Sequence, residues 1–463
     1  MPKDLKQPII LWFRQDLRLE DNPALVAACQ SGRPIVPLYI LDETNPGKWG
    51  LGGASRWWLH HSLCSLNTAL YQRGSQLFLL RGDPLEILPK LVQKYDAAAV
   101  YWNRCYEPYA IKRDRKLKSI LPFSESFKGS LLFEPWEVLN RDGEFFKVFT
   151  PFWRRALEIA AIAPPLERPE QIPTHKVESE PLESWKLLPR HPDWAAAFGS
   201  HWHVGESAAL SKLKQFLDRG LERYAELRDA PGIDATSSLS PHLHFGEISP
   251  RQIFHAVKSL PSSTKFLSEL GWREFAHYQL YHFPQLPERP WRAEFADFPW
   301  EKNTNFLKKW QQGETGYPIV DAGMRQLWTI GWMHNRVRMI TASFLIKDLM
   351  IRWQEGEAWF WDTLVDADLA SNAASWQWVA GSGFDAAPFF RIFNPVLQGE
   401  KFDPEGLYVK QWVPELTDLP KEFIHKPWRT TKNFNPLYPS PIVDHQMARL
   451  QALAGFKKIK AGS

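Results

Sequence analysis

The sequence predicts a fold in two parts, an amino-terminal α/β domain with a doubly wound parallel sheet and a larger all-α domain. Three observations support this prediction. Short apolar runs alternate with helical patterns over about the first 150 residues, prolines then crowd the chain, and helical apolar spacing prevails beyond residue 205. With 463 residues, the chain is long enough for two or more domains with sizeable cores.

Four apolar runs in the first part have the length and composition of buried parallel strands, which are covered on both faces and need not alternate with polar residues. They occupy residues 9–13, 35–41, 76–80 and 97–102. A helix is predicted to begin at Asn22-Pro23, where a capping residue precedes a proline, and another runs through residues 55–59. No G-x-G-x-x-G pattern follows the first strand, so an ordinary dinucleotide site is not expected there.

The domain boundaries are predicted from changes in composition along the chain. The α/β domain is expected at 8–135 and the all-α domain at 205–455, with an interdomain linker at 136–204. Prolines at positions 164, 165, 169, 173, 181 and 189 interrupt regular elements in the linker. Helical apolar spacing marks residues 268–281, 319–330, 334–352 and 359–364.

Composition limits the classes of function. The net charge is only +4, so a nucleic acid would have to bind a local basic patch. Cys29, Cys64 and Cys105 have no metal-ligand spacing and indicate no disulfide framework, and no metal site is expected. No apolar run is long enough to span a bilayer and the first residues lack a signal-peptide core, which favours a cytoplasmic protein without a membrane partner.

The 23 tryptophans are unusual, because this rare side chain carries an N–H group that a core must satisfy. Nine of them lie between Trp300 and Trp378. An aromatic core accounts for most of the set. A few are expected to stack on a base or a flavin, or to be oxidised by an excited cofactor.

A cluster of hydroxyl groups at Thr236, Ser237, Ser238 and Ser240, with Leu239 between them, precedes a proline. Side-chain O–H and backbone N–H groups of this kind can bind a phosphate. A hydroxyl-rich helix cap explains the same residues, and in isolation it is the better explanation.

Glu269, Trp272 and Arg273 have the i, i+3 and i+4 spacing that places residues on one helix face. A carboxylate, an indole and a guanidinium on one face can hydrogen-bond a base, stack on it and hold a phosphate. An i, i+4 ion pair beside one buried tryptophan is an equally good explanation.

Trp332, Asn335, Arg336 and Met339 share a second helix face, and Arg338 lies about one turn beyond Asn335. Buried polar groups of this kind need partners, which an anionic cofactor would supply. A helix whose polar residues face solvent explains them equally well.

Asp366 and Asp368 lie two residues apart in an apolar stretch that continues to Trp376 and Trp378. Such a pair suggests a metal ion, sugar hydroxyls or an arginine as the partner. A metal ion is disfavoured because no histidine or further carboxylate is suitably spaced. An acidic helix cap is the alternative explanation.

These features occur together with further motifs in a fixed order. The motifs are Trp12-Phe13-Arg14-Gln15-Asp16-Leu17-Arg18, Trp272-Arg273-Glu274-Phe275, Thr315-Gly316-Tyr317-Pro318, Trp332-Met333-His334-Asn335 and Trp376-Gln377-Trp378. From about residue 8 to 450 the chain resembles the photolyase/cryptochrome family, and within it the bacterial photolyases that repair cyclobutane pyrimidine dimers. The resemblance implies that the α/β domain holds an antenna chromophore and that the all-α domain is catalytic and binds FAD.

The resemblance also implies roles for individual residues in FAD binding. Residues at the family's FAD-binding positions are Tyr224, Thr236, Ser237, Ser238, Leu239, Ser240, Phe266, Arg273, Trp332, Asn335, Arg338, Asp366, Asp368 and Asn372. Residues 236–240 would bind the diphosphate, and Asn372 would lie beside flavin N5 as a catalytic group. Trp300, Trp353 and Trp376 match the chain of tryptophans that carries an electron from the surface to photoexcited FAD.

The implied reaction is light-driven repair of cyclobutane pyrimidine dimers in DNA by electron transfer from photoexcited FADH⁻, catalysed by a monomeric carbon–carbon lyase. Glu269, the second implied catalytic residue, would hydrogen-bond the flipped bases, and Trp272 would stack on them. The other implied DNA-binding residues are Arg228, Arg336, Met339, Trp378 and Arg391. Asn335 and Met339 occupy positions where relatives that repair (6-4) photoproducts carry histidines.

The alternative function is that of a cryptochrome-like blue-light photosensor, which would keep FAD and the tryptophan chain without repairing DNA. Long carboxy-terminal tails often accompany that role. Only a short basic end follows residue 455 here, and Glu269, Trp272 and Met339 together also favour repair.

The antenna chromophore is implied at Glu107, which matches a carboxylate that binds folate in the family. We expect 5,10-methenyltetrahydrofolate there, with 8-hydroxy-5-deazaflavin as the alternative. Leu286-Pro287 replaces a folate-contacting lysine of some relatives. Two further departures concern FAD, because Ser238 stands where close relatives often have arginine and Phe266 where a tryptophan is common.

Overall fold

The computed structural model describes residues 6–159, 161–430 and 436–461. The chain packs as two compact units. The first consists of the described residues of Met1–Arg219, Ser237–Pro284 and Val365–Asp368, and the second of those of Gly220–Thr236, Gln285–Leu364 and Leu369–Ser463. The domain ranges 8–135, 136–204 and 205–455 divide the chain along its length instead, and they stay a prediction.

A five-stranded parallel sheet organises the first unit. Its strands are β1 (Ile9–Phe13), β2 (Ile35–Leu41), β3 (Phe78–Arg81), β4 (Ala99–Asn103) and β5 (Ser124–Phe127), in the order β3-β2-β1-β4-β5. The chain winds outward from β1 in both directions, which confirms the predicted doubly wound sheet. The four predicted strands are present. β5 was not predicted because its sequence, Ser-Glu-Ser-Phe, is polar, as an edge strand can be.

The remaining regular structure is helical. The α-helices are α1 (Pro23–Gln30), α2 (Gly53–Tyr71), α3 (Pro84–Tyr95), α4 (Pro108–Ile120), α5 (Phe149–Ile159), α6 (Phe198–His201), α7 (Glu206–Arg219), α8 (Tyr224–Leu227), α9 (Ser240–His244), α10 (Pro250–Val257), α11 (Ser263–His282), α12 (Thr304–Gln312), α13 (Pro318–Ile330), α14 (Asn335–Ser343), α15 (Trp353–Thr363), α16 (Leu369–Ala380), α17 (Pro395–Phe402), α18 (Leu407–Trp412) and α19 (His445–Ala461). The predicted start of α1 is confirmed, because the Asn22 side chain accepts a hydrogen bond from the first helical turn at 3.1 Å.

The predicted helix at 334–352 is shorter in the structure. α14 is followed by a π-helical turn at Phe344–Asp348, in which the N–H of Leu349 donates to the carbonyl of Phe344. The apolar pattern continues through this turn, so the pattern alone does not reveal the wider hydrogen bond.

The predicted linker contains α5 and α6, and its proline-rich stretch runs beside the sheet. Thr174 forms a parallel bridge with Ile35 at the start of β2. The Ile35 N–H donates to the carbonyl of Pro173 at 2.6 Å. Residues without helix or strand periodicity are thus tied to the first unit by backbone hydrogen bonds.

Tryptophans contribute to the core of both units. Trp12, Trp58, Trp102, Trp310 and Trp353 are fully buried. Within the described ranges, no helix combines the length and apolar character needed to cross a membrane. Over the same ranges, no group of three or more histidine, cysteine, aspartate and glutamate residues is arranged to hold a metal ion.

Candidate functional site

The predicted cofactor residues are divided between the two units. Those of the first unit are Ser237, Ser238, Leu239, Ser240, Phe266, Arg273, Asp366 and Asp368. Those of the second unit are Tyr224, Thr236, Trp332, Asn335, Arg338 and Asn372. Each unit therefore supplies its own set of polar and aromatic groups.

Asp368 is buried against two histidines of the first unit. Its Oδ2 lies 3.3 Å from Nε2 of His277 and 3.8 Å from Nδ1 of His244. Nδ1 of His277 donates to the carbonyl oxygen of Arg273, one turn earlier in α11, at 3.0 Å. Because Nδ1 faces a carbonyl and Nε2 faces a carboxylate, both nitrogens carry a hydrogen and the His277 ring is an imidazolium.

The pKa values of this pair agree with that assignment. Burial by itself lowers the pKa of His277, but the carboxylate of Asp368 raises it above its ordinary value of 6.5. Burial by itself raises the pKa of Asp368, but the charge and hydrogen bond of His277, together with the nearby ring of His244, hold it well below 3.8. The site thus contains a buried carboxylate whose charge is balanced within the protein, next to the second predicted carboxylate, Asp366.

The hydroxyl cluster forms a turn before α9. Ser238 has a φ of 48°, in the left-handed region that residues other than glycine seldom adopt. Leu239 is right-handed, and its N–H donates to Oγ of Ser237 at 3.4 Å. Successive residues of opposite hand point their N–H groups into a concave turn, which is a common way to bind an anion.

The predicted face of α11 carries Glu269 and Trp272, both partly exposed. The ring of Trp272 stacks on Phe149 with centroids 4.0 Å apart and 11° between the planes, so one face of the indole is covered by the protein. Glu269 forms an i, i+4 ion pair with Lys265 at 3.3 Å. The helix therefore presents a carboxylate and an indole one turn apart.

Arg273 is held by protein groups at one end of its guanidinium. Nη1 donates to the carbonyl oxygen of Ser130 at 2.9 Å and lies 3.6 Å from Oε1 of Glu274. Burial raises the pKa of the Glu274 carboxyl, which also accepts a hydrogen bond from the N–H of Leu132 at 2.9 Å. The role of Arg273 near a diphosphate stays a prediction. The end of its guanidinium that does not contact Ser130 and Glu274 would bind the phosphate.

Arg228 and Arg336, both predicted to bind DNA, are brought together in the second unit by Asp229. Oδ2 of Asp229 accepts from Nη2 of Arg336 at 2.8 Å, and Oδ1 lies 3.8 Å from Nε of Arg228. The Arg336 guanidinium also lies over the ring of Phe402, 4.4 Å from its centroid. A carboxylate that sequence reasoning missed therefore fixes both arginines.

The start of α14 places the other predicted residues of this segment. His334 caps the helix, with Nδ1 accepting from the N–H of Arg336 at 3.2 Å, and burial lowers its pKa to about 4. Nε of Arg338 donates to the carbonyl of Met333 at 2.7 Å. The Arg338 guanidinium also lies 5.8 Å from the ring centroid of Trp332.

Four predicted residues of the second unit differ in exposure. Asn335 and Arg391 are exposed, while Met339 and Trp378 are partly buried. Arg391, Met339 and Trp378 are thus accessible to a large partner such as DNA, whereas the exposed Asn335 is a predicted FAD-binding residue. All four roles stay predictions.

Two predicted cofactor residues are buried aromatic side chains. Tyr224 lies under the guanidinium of Arg228, 5.5 Å from its ring centroid, and Phe266 packs on Phe216 at 4.6 Å. At this position, where a tryptophan is common in relatives, Phe266 therefore packs on an aromatic side chain of the protein itself.

Trp376 lies in an aromatic environment formed where α15 packs against α16. Its ring contacts Phe360 edge-on, with centroids 5.0 Å apart, and lies 6.3 Å from Trp310. A Cβ added to Gly356 would lie 2.1 Å from Cη2 of Trp376, so the indole occupies the space over this glycine. Trp353 begins α15, one turn before Gly356, and α15 packs against the helix that carries Trp376.

Trp300 is the outermost of the three predicted electron-transfer residues. It is partly exposed, whereas Trp353 and Trp376 are each 2% exposed. Trp300 and Trp353 line one cavity of about 400 Å³. The order of exposure is the one expected of a path that begins at the surface.

Asn372 is buried in α16, and its amide is oriented by the backbone of α15. Nδ2 donates to the carbonyl oxygen of Glu357 at 3.0 Å. The amide oxygen of Asn372 accepts no hydrogen bond from the described residues, so it is the end that remains to accept one from a ligand.

Glu107, the predicted antenna residue, is 5% exposed at the start of α4. Nε2 of Gln15 donates to its Oε1 at 2.6 Å. Oε2 is buried and has no hydrogen-bond partner among the described residues. A buried carboxylate oxygen without a donor is costly, and a ligand with an N–H group would satisfy it.

Sequence reasoning missed several residues that shape these groups. They are His244, His277, Asp229, Gln15 and Gly356. The two histidines carry one usable signal, since an ionisable ring in an apolar stretch needs a partner. Asp229 and Gly356 carry no signal of their own, because the contacts that define them come from distant parts of the chain.

Comparison with known proteins agrees with the geometry. The family models for "DNA photolyase" and for the "FAD binding domain of DNA photolyase" match residues 9–171 and 266–458. The chain is 49% identical to the deoxyribodipyrimidine photo-lyase of Agrobacterium fabrum, over 98% of both chains. It is 39% identical to the Escherichia coli enzyme of that name, over 98% of this chain and 99% of the relative. It is 38% identical to cryptochrome-1 of Arabidopsis thaliana, over 98% of this chain and 71% of the relative.

Solved structures give the same result. The chain matches a class III photolyase of Agrobacterium tumefaciens with a TM-score of 0.95 and 49% identity over 98% of both chains. An archaeal photolyase of Sulfolobus tokodaii, solved with two FAD molecules, matches with a TM-score of 0.85 and 31% identity over 98% of this chain and all of that one. These similarities extend over nearly the whole chain, and the chain belongs to the photolyase/cryptochrome family.

Proposed function

We propose that this protein repairs cyclobutane pyrimidine dimers in DNA, in a light-driven reaction that uses FAD. The observation that carries the proposal is the face of α11, where Glu269 and Trp272 present a carboxylate and a half-covered indole one turn apart. Relatives named deoxyribodipyrimidine photo-lyase support the same reaction. In this proposal the protein acts as a cytoplasmic monomer on a dimer flipped out of the duplex.

The residues present fit FAD. The turn at residues 237–239 offers serine hydroxyl groups for the diphosphate, and Asn372 offers an amide oxygen that a ring N–H can use. Asp366 and Asp368 offer carboxylates for the ribityl chain and ring, with the charge of Asp368 balanced by His277. When bound, FAD supplies the electron that a dimer accepts under near-ultraviolet or blue light.

Three tryptophans provide a path for electrons from the surface. Trp376 and Trp353 are buried on the two packed helices α16 and α15, and Trp300 reaches solvent. Aromatic rings in such an order can pass an electron inward while excluding water from the buried members. We assign this path to the reduction of the flavin before repair.

DNA binding is assigned to the positive groups and to the residues that surround the flipped bases. Arg228 and Arg336, fixed by Asp229, would contact phosphates together with the exposed Arg391. Met339 and Trp378 would contact the flipped bases. These contacts position the duplex, and Glu269 would hydrogen-bond the bases themselves.

The test is repair of an oligonucleotide with one thymine dimer by reduced protein, under blue light and in the dark. Glu269→Ala removes hydrogen bonds to a charged group, each worth about 1.5–3 kcal/mol, so repair at limiting substrate should fall roughly tenfold to a hundredfold. Lys265→Gln is the matched control, because it removes the ion-pair partner of Glu269 and keeps the carboxylate. We expect this control to repair at the wild-type rate.

Loss of dimers in the light but not in the dark would establish the lyase. A protein whose flavin photoreduces but which leaves the dimers intact would instead be the blue-light photosensor. Equal repair by Glu269→Ala and wild type would remove Glu269 from the active site.

We also propose 5,10-methenyltetrahydrofolate as the antenna chromophore, bound at Glu107. The buried Oε2 of Glu107, which lacks a partner among the described residues, suits the N–H groups of a pterin ring. Glu107→Ala should abolish the near-ultraviolet absorption of bound folate and leave the flavin bands unchanged. Retention of folate by the variant, or recovery of 8-hydroxy-5-deazaflavin from the wild type, would contradict the proposal.

A further inference from the structure

The cavity beside Trp300 belongs entirely to the second unit and is open to solvent at the surface end of the tryptophan path. It has a volume of about 400 Å³, within the usual range for small-molecule sites. Its aromatic lining consists of Trp300, Trp353 and Phe295. Two members of the electron path therefore face the same pocket.

The polar lining of the cavity favours an anion. Arg289 and Arg352 are exposed at the pocket, and their guanidinium groups form no hydrogen bond or ion pair with other described residues. Glu288 contributes one opposing carboxylate, so the three charged side chains carry a net charge of +1 (two arginines minus one glutamate). Two guanidinium groups without partners can bind an anion without breaking an existing contact.

The first turn of α15 adds polar groups to the same lining. Arg352 is the N-cap residue and makes no side-chain capping bond, so the helix begins in the pocket without a capping side chain. The positive end of the helix faces this region. Oε1 of Gln354 is buried without a hydrogen-bond partner among the described residues, and it would accept from a ligand hydroxyl.

We propose that this cavity binds a small organic anion that donates one electron to Trp300, with ene-diols such as ascorbate as the chemical class. The inference rests on the electron path of the proposed function. A planar anion with hydroxyl groups matches the two arginines, the Gln354 oxygen and the indole of Trp300. Bound there, it is held against the outermost tryptophan and meets it without a diffusional encounter.

Electrons and protons balance in this step. The light-driven path leaves Trp300 as an indole radical cation. An ascorbate monoanion gives it one electron and releases one proton to water, which restores neutral Trp300 and leaves an ascorbyl radical anion. The oxidant is thus the excited cofactor acting through the tryptophans, and the reductant is the bound anion.

The experiment measures the lifetime of the tryptophan radical after a laser flash in the flavin-loaded protein, as a function of ascorbate concentration. Binding predicts a rate that saturates, whereas simple collision predicts a straight line. In Arg289→Gln/Arg352→Gln the half-saturating concentration should rise about tenfold or more, because charge-assisted hydrogen bonds are lost. Arg292→Gln is the matched control, since this exposed arginine does not line the cavity.

Two additional measurements separate the site from the path. Equilibrium dialysis of ascorbate in the dark, without oxygen, should show binding to wild type and to Trp300→Phe, and weaker binding to the double variant. Dithiothreitol is a neutral electron donor, so it should shorten the lifetime of the tryptophan radical equally in wild type and in the double variant. A linear dependence together with no dark binding would overturn the inference. Absence of any tryptophan radical would instead refute the electron path, while dialysis would still decide whether the site exists.

Discussion

An Asp368→Asn variant is expected to lose about 3–5 kcal/mol of unfolding free energy near pH 6, because it removes one partner of a buried ion pair. The carboxylate lies 3.3 Å from Nε2 of His277, and both side chains are buried. Without the negative charge, the buried imidazolium must release its proton, and the cost should shrink at higher pH. Urea unfolding of wild type and variant, with and without added FAD, would measure this difference.

The sign of the pH dependence follows from the two pKa shifts. The folded pKa of His277 is raised above 6.5, so its contribution is full below 6.5 and is lost as the pH rises through the raised value. The folded pKa of Asp368 is lowered below 3.8, so its contribution is full above 3.8 and is lost as the pH falls through the lowered value. The pair therefore stabilises the fold most strongly between about pH 3.8 and 6.5.

In wild type, we expect the unfolding free energy to fall as the pH rises above 6.5, and in His277→Gln this fall should be absent. His203→Gln, at an exposed histidine, is the matched control and should keep it. An unchanged pH profile in His277→Gln would show that the imidazolium does not form.

A Gly356→Ala variant is expected to force the indole of Trp376 out of its place. The new methyl group would lie 2.1 Å from Cη2 of that ring, and overpacking of this kind costs about 1–3 kcal/mol. Since Trp376 is the innermost member of the proposed path, we expect slower flavin photoreduction as well as a lower melting temperature. Both quantities can be measured on one preparation.

Gly199→Ala is the control for this change. A Cβ added at Gly199 meets no atom within 4 Å, so the same substitution should leave melting and photoreduction unchanged or raise stability slightly. Normal photoreduction in Gly356→Ala would show that the position of the Trp376 ring does not limit electron transfer.

The elements of the fold that could be predicted are those whose residues show a pattern within a short stretch of sequence. Buried strands such as β1 and β2 are continuous apolar runs, and α1 begins at an Asn-Pro cap, so both are visible in a short window of sequence. β5 lies at the sheet edge with two serines and a glutamate, and its place is determined by pairing with β4. No local pattern encodes that pairing.

The same distinction holds for the candidate site. Glu269 and Trp272 were found because helix periodicity alone places them on one face. The partner of Asp368 was not found, because His277 is 91 residues away and their contact depends on tertiary packing. The importance of Gly356 likewise depends on its contact with the indole of Trp376, which belongs to the next helix.

The composition of the first compact unit has a consequence for biosynthesis. This unit includes Val365–Asp368, a short segment far along a chain of 463 residues. A ribosome must therefore complete more than three quarters of the polypeptide before the unit can close, although its sheet is finished by Phe127. The nascent sheet domain must wait for its last segment in an incomplete state, and contacts of such long sequence separation form slowly.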